Sequence, residues 1–179
     1  MKNELDKEIT IYNKHVAFWG SPLSNFHKCK FEYKHLTWKS SEQAYMAEKA
    51  IYFGDYEMFL KILEAETPAE AKKLGRQVRG FDQDEWNDIS FDIMLHIVWE
   101  KFIQNDYLKE YILRDDFKGK GFIEGSPVDG IWGVKVSWDN PEIDNEANWQ
   151  GENRLGKVLN LVRMYLNNES LFPEDYETE

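Results

Sequence analysis

Residues 82–102, D-Q-D-E-W-N-D-I-S-F-D-I-M-L-H-I-V-W-E-K-F, constrain the fold more than any other stretch of the chain. Asp82 can cap a helix, and Glu85 three residues on completes the capping box. The residues that follow are apolar on nearly every side of the helix. A helix of that kind cannot lie on a surface with one face in water; it must be surrounded, as a central core helix is. The chain has 179 residues, 42% hydrophobic and 15% aromatic with seven tryptophans, which is enough apolar volume to surround it within one domain. Disorder is left to the ends.

The rest of the chain reads as short elements. Residues 9–38 look like strands and turns: I-T-I-Y, H-V-A-F-W, a loop G-S-P-L-S-N, then C-K-F-E-Y-K-H-L-T-W with partial alternation. Helices are predicted from Ser40 to about Phe53, over residues 56–64, and over residues 106–113. Another starts at Pro68, with Thr67 as cap and Glu70 closing the box. Residues 119–134, G-K-G-F-I-E-G-S-P-V-D-G-I-W-G-V, read as strand, turn, strand, and residues 139–151 as a polar loop. The last helix carries Leu155, Val158, Leu159, Val162 and Leu166 on one stripe. The expected architecture is α+β, a single helix-rich domain with a small β component over residues 1–168, followed by an acidic tail over 169–179. Nothing marks a parallel doubly wound sheet.

The net charge of −11 includes five acidic residues of that tail, Glu169, Glu174, Asp175, Glu177 and Glu179, which leaves −6 for the body. Such a surface repels phosphate backbones and disfavours non-specific nucleic-acid binding, though not a local nucleotide pocket. The one cysteine, Cys29, excludes an internal disulfide and a multi-cysteine metal site. No metal-ligand cluster is recognisable, so neither a metal nor another cofactor is expected. The N-terminal M-K-N-E-L-D-K-E lacks the apolar core of a signal peptide, and no apolar run could span a bilayer. The expectation is a soluble, cytoplasmic protein with no membrane partner.

Residues 37–50, T-W-K-S-S-E-Q-A-Y-M-A-E-K-A, pose the chemical question. Ser40 can cap and Gln43 can reach back; Glu42, Tyr45, Met46, Lys49 and Phe53 then share one stripe, with Ala44, Ala47 and Ile51 opposite. An acid and an amine thus lie on the inward face of a buried helix. The helix N-terminus favours the charged form of Glu42. On the stripe alone, an ion pair between Glu42 and Lys49 is the ordinary explanation. Glu124 and Asp129 flank the turn around Pro127, followed by Trp132 between Gly130 and Gly133. Glycines there let backbone approach a ligand and the indole can stack on a base or sugar, although Asp-Gly alone is also a plain hairpin turn. Asn148, Asn153 and Arg154 precede the last helix, whose N-terminus suits a phosphate as well as a simple cap. Trp19 and Trp86 read as core or as stacking residues. His15, His27, His35 and His96 are scattered, and neither Ser24 nor Ser41 has an evident histidine partner. The chain has no phosphate-loop, dinucleotide, zinc-protease or nucleophile-elbow motif.

F-W-G-S-P-L-S-N-F, W-K-S-S-E-Q-A-Y-M-A-E-K-A, T-P-A-E-A-K-K-L-G-R, E-K-F-I-Q-N, F-I-E-G-S-P-V-D-G-I-W-G and G-E-N-R-L-G-K-V-L-N-L-V-R resemble, in order, the NADAR family of YbiA-like N-glycosidases, over roughly residues 14–167. The resemblance implies a helix-rich α+β domain that cleaves N-glycosidic bonds. The substrate classes it implies are ribosylamino-pyrimidine phosphates of riboflavin synthesis and ADP-ribose on guanine in nucleic acid. It places Glu42, Lys49, Asp129 and Glu124 in the catalytic set. Trp19, Gly20, Ser24, Asn25, Phe26, Trp132, Gly133, Asn153 and Arg154 fall in the substrate-binding set. Two positions depart from the family pattern. Met46 stands where glutamine is frequent, and Val134 and Lys135 follow W-G where many members keep a glycine two residues on. The expected reaction is hydrolysis of a ribose C1–N bond, with Glu42 and Asp129 sharing the acid and stabilising roles and Glu124 on ribose hydroxyls. Lys49 either orients a carboxylate or phosphate or attacks C1 to form a Schiff base. The alternative is a non-catalytic module that binds ADP-ribose or a related nucleotide.

Overall fold

The computed structural model describes residues 4–173. Among them six α-helices form: α1 (Ser41–Tyr52), α2 (Tyr56–Glu64), α3 (Pro68–Gly75), α4 (Gln83–Ile103), α5 (Asp106–Ile112) and α6 (Arg154–Asn167). Their starts follow the caps. The side chains of Ser40, Thr67 and Asp82 accept from backbone N–H groups two or three residues on, as their sequence positions suggest. In the first two boxes the reciprocal half reaches one residue further back than expected, whereas Glu85 accepts from the Tyr52 hydroxyl instead. Gln43 Oε1 accepts from Lys39 N (2.9 Å) and Glu70 Oε2 from Glu66 N (3.0 Å). The amide of Gln43 also donates to the carbonyls of Ile62, Leu63 and Ala65, fastening α1 to the end of α2.

α4 is the central helix that its sequence requires. It packs against α1, α5, α6 and the strand β3 (Phe31–Tyr33), with Trp86, Met94, Ile97, Val98 and Phe102 buried. Among its buried residues is Lys101, fully shielded, whose ammonium donates to the carbonyls of Pro22 (2.7 Å) and Ser24 (2.9 Å). A buried ammonium must find acceptors, and these two fasten the 19–26 loop to the core. Burial pulls its pKa down to about 8. On α1, Ala44 and Ala47 are buried as expected, but Ile51 is exposed: the helix's last turn runs out of the core.

The β component is two small sheets. β3 pairs with β4 (Leu36–Trp38) as an antiparallel hairpin. In the other sheet β1 (Ile9–Ile11) runs antiparallel to β2 (His15–Phe18), and β2 runs parallel to β5 (Gly121–Glu124), in the order β1-β2-β5. Alternation divides the faces: Val16, Phe18 and Phe122 join the main core, whereas Ala17 and Ile123 meet Val134, Val136 and Ile143 in a second cluster. The expected strand after the Pro127 turn does not form; residues 130–138 run as turns and bends. Their backbone is used otherwise, with Val134 N donating to the Glu124 carbonyl and its own carbonyl accepting from Gln150 N.

The C-terminal stripe of α6 is buried throughout. Residues past 168 begin with a 3-10 turn, and Phe172 stacks on Trp99 at 4.3 Å; the acidic residues 174–179 lie outside the described residues. No helix among the described residues is long and apolar enough to cross a membrane.

α6 lies so close to β5 that a Cβ on Gly156 would collide with the Phe122 carbonyl, which is backbone and cannot rotate away. Gly156→Ala should therefore destabilise the fold by on the order of 2–3 kcal/mol, read as a Tm lowered by roughly 5–10 °C. An unchanged Tm would mean the two elements can separate freely.

Candidate active site

The register Phe18↔Glu124 ends β2 and β5 side by side, so the loops that follow them leave from the same edge. Ligands commonly bind at the carboxyl ends of parallel strands. Here the 19–26 loop and the 125–132 loop are further joined to α1, because Glu42 N donates to the Asn25 carbonyl (3.1 Å). A chamber of about 240 Å³ lies between them, lined by Asn25, Glu42, Lys49, Glu124, Asp129 and Trp132 among others. It opens past Phe26, Lys72, Glu124, Asp129 and Ile131 into a groove of about 1150 Å³ that Trp19, Gly20 and Ser24 help line.

Glu42 is buried, and among the described residues no group donates a hydrogen bond to its carboxylate. Burial pushes its pKa up to about 7, with the Asp129 charge adding to it and Lys72, Arg76 and Lys49 opposing. The helix N-terminus was expected to favour the charge; loss of solvent outweighs it. Glu124 is half-buried as a residue, yet its Oε2 is sealed from solvent without a partner. Its pKa is pushed up to about 8, first by burial and then by Asp129, with Glu42 adding to it and Lys72 opposing. Asp129 is held by its own turn: Oδ1 accepts from Ile131 N and Trp132 N, both at 2.9 Å, and Ser126 Oγ accepts from Asp129 N. Oδ2 is left for a ligand. The second buried orphan in the chamber is Asn25 Oδ1, whose Nδ2 has only the Met94 sulfur at 3.4 Å. Buried polar atoms without partners are rare in folded proteins and suit a bound ligand. Those in the chamber are acceptors, matched to a ligand rich in O–H or N–H groups.

Lys49 forms no ion pair with Glu42; the glutamate of α1 that is paired is Glu48, with Lys34 of the β3–β4 turn (2.9 Å). The Lys49 ammonium lies over the Phe81 ring, 3.7 Å from its centroid. Burial lowers its pKa, helped by Arg76 and opposed by Glu42. The aromatic wall is fixed from behind. Trp86 Nε1 donates to the Tyr45 hydroxyl (2.8 Å), and Tyr45 meets Trp132 edge to face.

These observations point to one lineage. Residues 12–167 match the family model of the NADAR domain. The chain belongs to the NADAR family. It is similar to an N-glycosidase of Acanthamoeba polyphaga mimivirus, 40% identical over 69% of this chain and 72% of that one. It is also similar to a riboflavin biosynthesis protein of Vibrio vulnificus, 34% identical over 79% of this chain and 34% of the other. The fold matches the NMR structure of E. coli YbiA with a TM-score of 0.71 over 97% of both chains, at 22% identity.

Within this NADAR domain, the four residues expected to act together, Glu42, Lys49, Glu124 and Asp129, line one chamber with Asn25, Phe26 and Trp132. Trp19, Gly20 and Ser24 lie on the outer groove. Asn153, Arg154 and Gly133 are placed elsewhere. Asn153 clamps β5, its Nδ2 donating to the Phe122 carbonyl (2.9 Å) and its Oδ1 accepting from Glu124 N (3.1 Å). Arg154 lies against Trp132 and Phe91 and donates to the Asn87 carbonyl. Gly133 admits the backbone of Glu124 and Asp129, where a Cβ would meet both carbonyls at about 3 Å. Sequence reasoning did not single out Lys72, Arg76, Ser90 or Met94; Trp86, read as core or stacking, lines the chamber with Ser90 and Met94, and their i, i+4, i+8 spacing on α4 was the available signal. Among the described residues no group of three or more His, Cys, Asp or Glu could hold a metal ion.

Both raised carboxyls bind their protons more tightly in the folded chain than in the unfolded one. The stability they contribute is complete below the ordinary carboxyl pKa of 4.5 and is lost as the pH rises through about 7 for Glu42 and about 8 for Glu124. Glu124→Gln cannot ionise, so it should melt several degrees above the wild type at pH 8 and level with it near pH 4. Thermal melts across that range check this; a variant less stable at pH 8 would show that the ionised Glu124 is held by interactions the structure lacks.

Proposed function

We propose that this protein is an N-glycoside hydrolase that breaks a ribose C1–N bond in a nucleotide-like substrate, either a ribosylamino-pyrimidine phosphate or an ADP-ribosylated guanine. The observation that carries this reading is the convergence of Glu42, Glu124 and Asp129 on one chamber whose buried orphan atoms are acceptors. The names of the mimivirus and Vibrio relatives support it at the level of the family.

Breaking the bond builds positive charge on the sugar, and a carboxylate held close stabilises it. Asp129, oriented by two N–H groups, takes that role. The ribose hydroxyls donate to Asn25 Oδ1 and Glu124. Glu42, with a pKa of about 7, gives its proton to the departing base nitrogen and recovers one from the attacking water. Trp132 and Phe26 cover the base or the sugar.

Lys49 offers a covalent variant, favoured by its lowered pKa and its lack of a partner carboxylate. On a ring-opened ribose its neutral amine adds to C1 as the base nitrogen leaves with a proton, giving a Schiff base that water hydrolyses to free sugar and amine.

Incubating the protein with a panel of N-ribosides, including an ADP-ribosylated guanosine and a ribosylamino-pyrimidine phosphate, should release free base detectable by mass spectrometry. A module that only bound ADP-ribose would release none. Glu42→Gln should lower kcat by roughly 100- to 10,000-fold with an almost unchanged melting temperature, and the wild-type rate should decline as the pH rises through about 7. A near-normal rate in the variant would make Glu42 structural. Borohydride added during turnover should trap a sugar on Lys49, and Lys49→Arg should be inactive. Absence of an adduct at full turnover would remove the covalent route and leave hydrolysis to the carboxylates.

A further inference from the structure

The outer groove has a chemistry of its own. Although the chain carries a net −11, Lys28, Lys72, Arg76 and Lys135 all line this groove. Among the described residues none of the four has a carboxylate within ion-pairing distance, as Lys34, Lys39, Lys61, Arg79, Lys109, Arg114 and Lys118 do. Glu8 is on the groove wall too, beside Gly20. Lys72 on α3 and Arg76 at its C-cap are one turn apart. Lys72 lies at the junction with the chamber, its ammonium 5.3 Å from the centroid of the Phe26 ring. Both act on the Glu42 charge, so they stand close to the reacting centre without neutralising it by contact.

Lys135 adds a second observation. Its φ of 56° falls in the region that favours glycine, although the residue carries a long side chain. The backbone thus keeps a glycine-like turn while the side chain adds a cation to the groove, its Cε and Nζ lying against Gly130.

We propose that the outer groove is a subsite for a phosphoryl-bearing arm on the 5′ side of the substrate ribose, with Lys72 and Arg76 holding the phosphoryl group nearest the sugar and Lys135 and Lys28 holding whatever lies beyond it. The proposal rests on the N-riboside reading of the chamber, since it is the ribose in the chamber that directs its 5′ substituent outward. Arginine presents paired N–H donors that match phosphate oxygens, and lysine supplies a mobile point charge. The arm is either a 5′-monophosphate or a diphosphate joined to a second nucleoside; both present the same group to α3.

Isothermal titration of the full chain with ribose, ribose 5-phosphate and ADP-ribose reads the subsite without turnover. Wild type should bind ribose 5-phosphate about 10- to 100-fold more tightly than ribose, the range of a charge-assisted hydrogen bond. That ratio should collapse in Lys72→Gln and Arg76→Gln and recover in part in Arg76→Lys. Lys135→Gly suits the backbone it enters and should keep the melting temperature. If it weakens ADP-ribose but not ribose 5-phosphate, the arm is a diphosphate; if it weakens neither, the arm ends at one phosphate. Equal binding of ribose and ribose 5-phosphate by wild type overturns the proposal, as does a ratio that survives in a folded Lys72→Gln/Arg76→Gln double variant. A phosphate preference without cleavage of any N-riboside would remove the hydrolase reading and keep the subsite; cleavage without the preference would do the reverse.

Discussion

Parallel pairing between His15–Phe18 and Gly121–Glu124 joins two segments that lie far apart in the chain, and the site's geometry follows from it. Both strands end at the same level, so the loop bearing Asn25 and Phe26 and the loop bearing Asp129 and Trp132 leave the sheet as neighbours. α6 locks this edge from one side, through Asn153 and the close approach at Gly156. α4 locks it from the other, through Lys101 and the carbonyls of Pro22 and Ser24. α1 then needs only one backbone hydrogen bond, Glu42 N to the Asn25 carbonyl, to bring its acid to the same opening.

The electrostatics run against stability. Glu42 sits in the first turn of a helix, where the dipole welcomes a negative charge, and still its carboxyl is pushed upward because water is excluded. Glu124 is pushed further with Asp129 and Glu42 as like-charged neighbours. Carboxyls in such surroundings titrate where proton transfer is useful, and strongly perturbed groups of this kind cluster at functional sites. Lys72 and Arg76 oppose the effect from α3, across the α1–α3 contact that Gly75 permits by leaving room for Met46.

What could be read from the sequence was what is local. Caps at Ser40, Thr67 and Asp82 act within a few residues, so helix starts were legible. The apolar stripe of α6 is periodic and was legible too. The strand expected after Pro127 failed because pairing is non-local: Asp129 folds its own turn with Ile131 and Trp132, and the backbone beyond it bonds to Glu124 and Gln150 instead of forming a ladder. The family pattern brought the four residues of the chamber to notice, but it could not separate side chains that line the chamber from those that hold the surrounding backbone. Asn153 and Arg154 belong to the second kind. Lys72 and Arg76 were not singled out because nothing in the spacing of α3 reveals what lies across from it.

The Lys101 tether has a consequence for the chemistry of the chain while it is being made. Lysine amines are the usual target of acyl transfer and of reactive aldehydes, and such reagents need an exposed, neutral nitrogen. In the folded protein the nitrogen of Lys101 is sealed and committed to two carbonyls, so it is out of reach. An acyl group there would remove the ammonium that the Pro22 and Ser24 carbonyls depend on and would have to be buried besides. A covalent mark on Lys101 would therefore date from before folding and would record a molecule whose 19–26 loop had never been fastened.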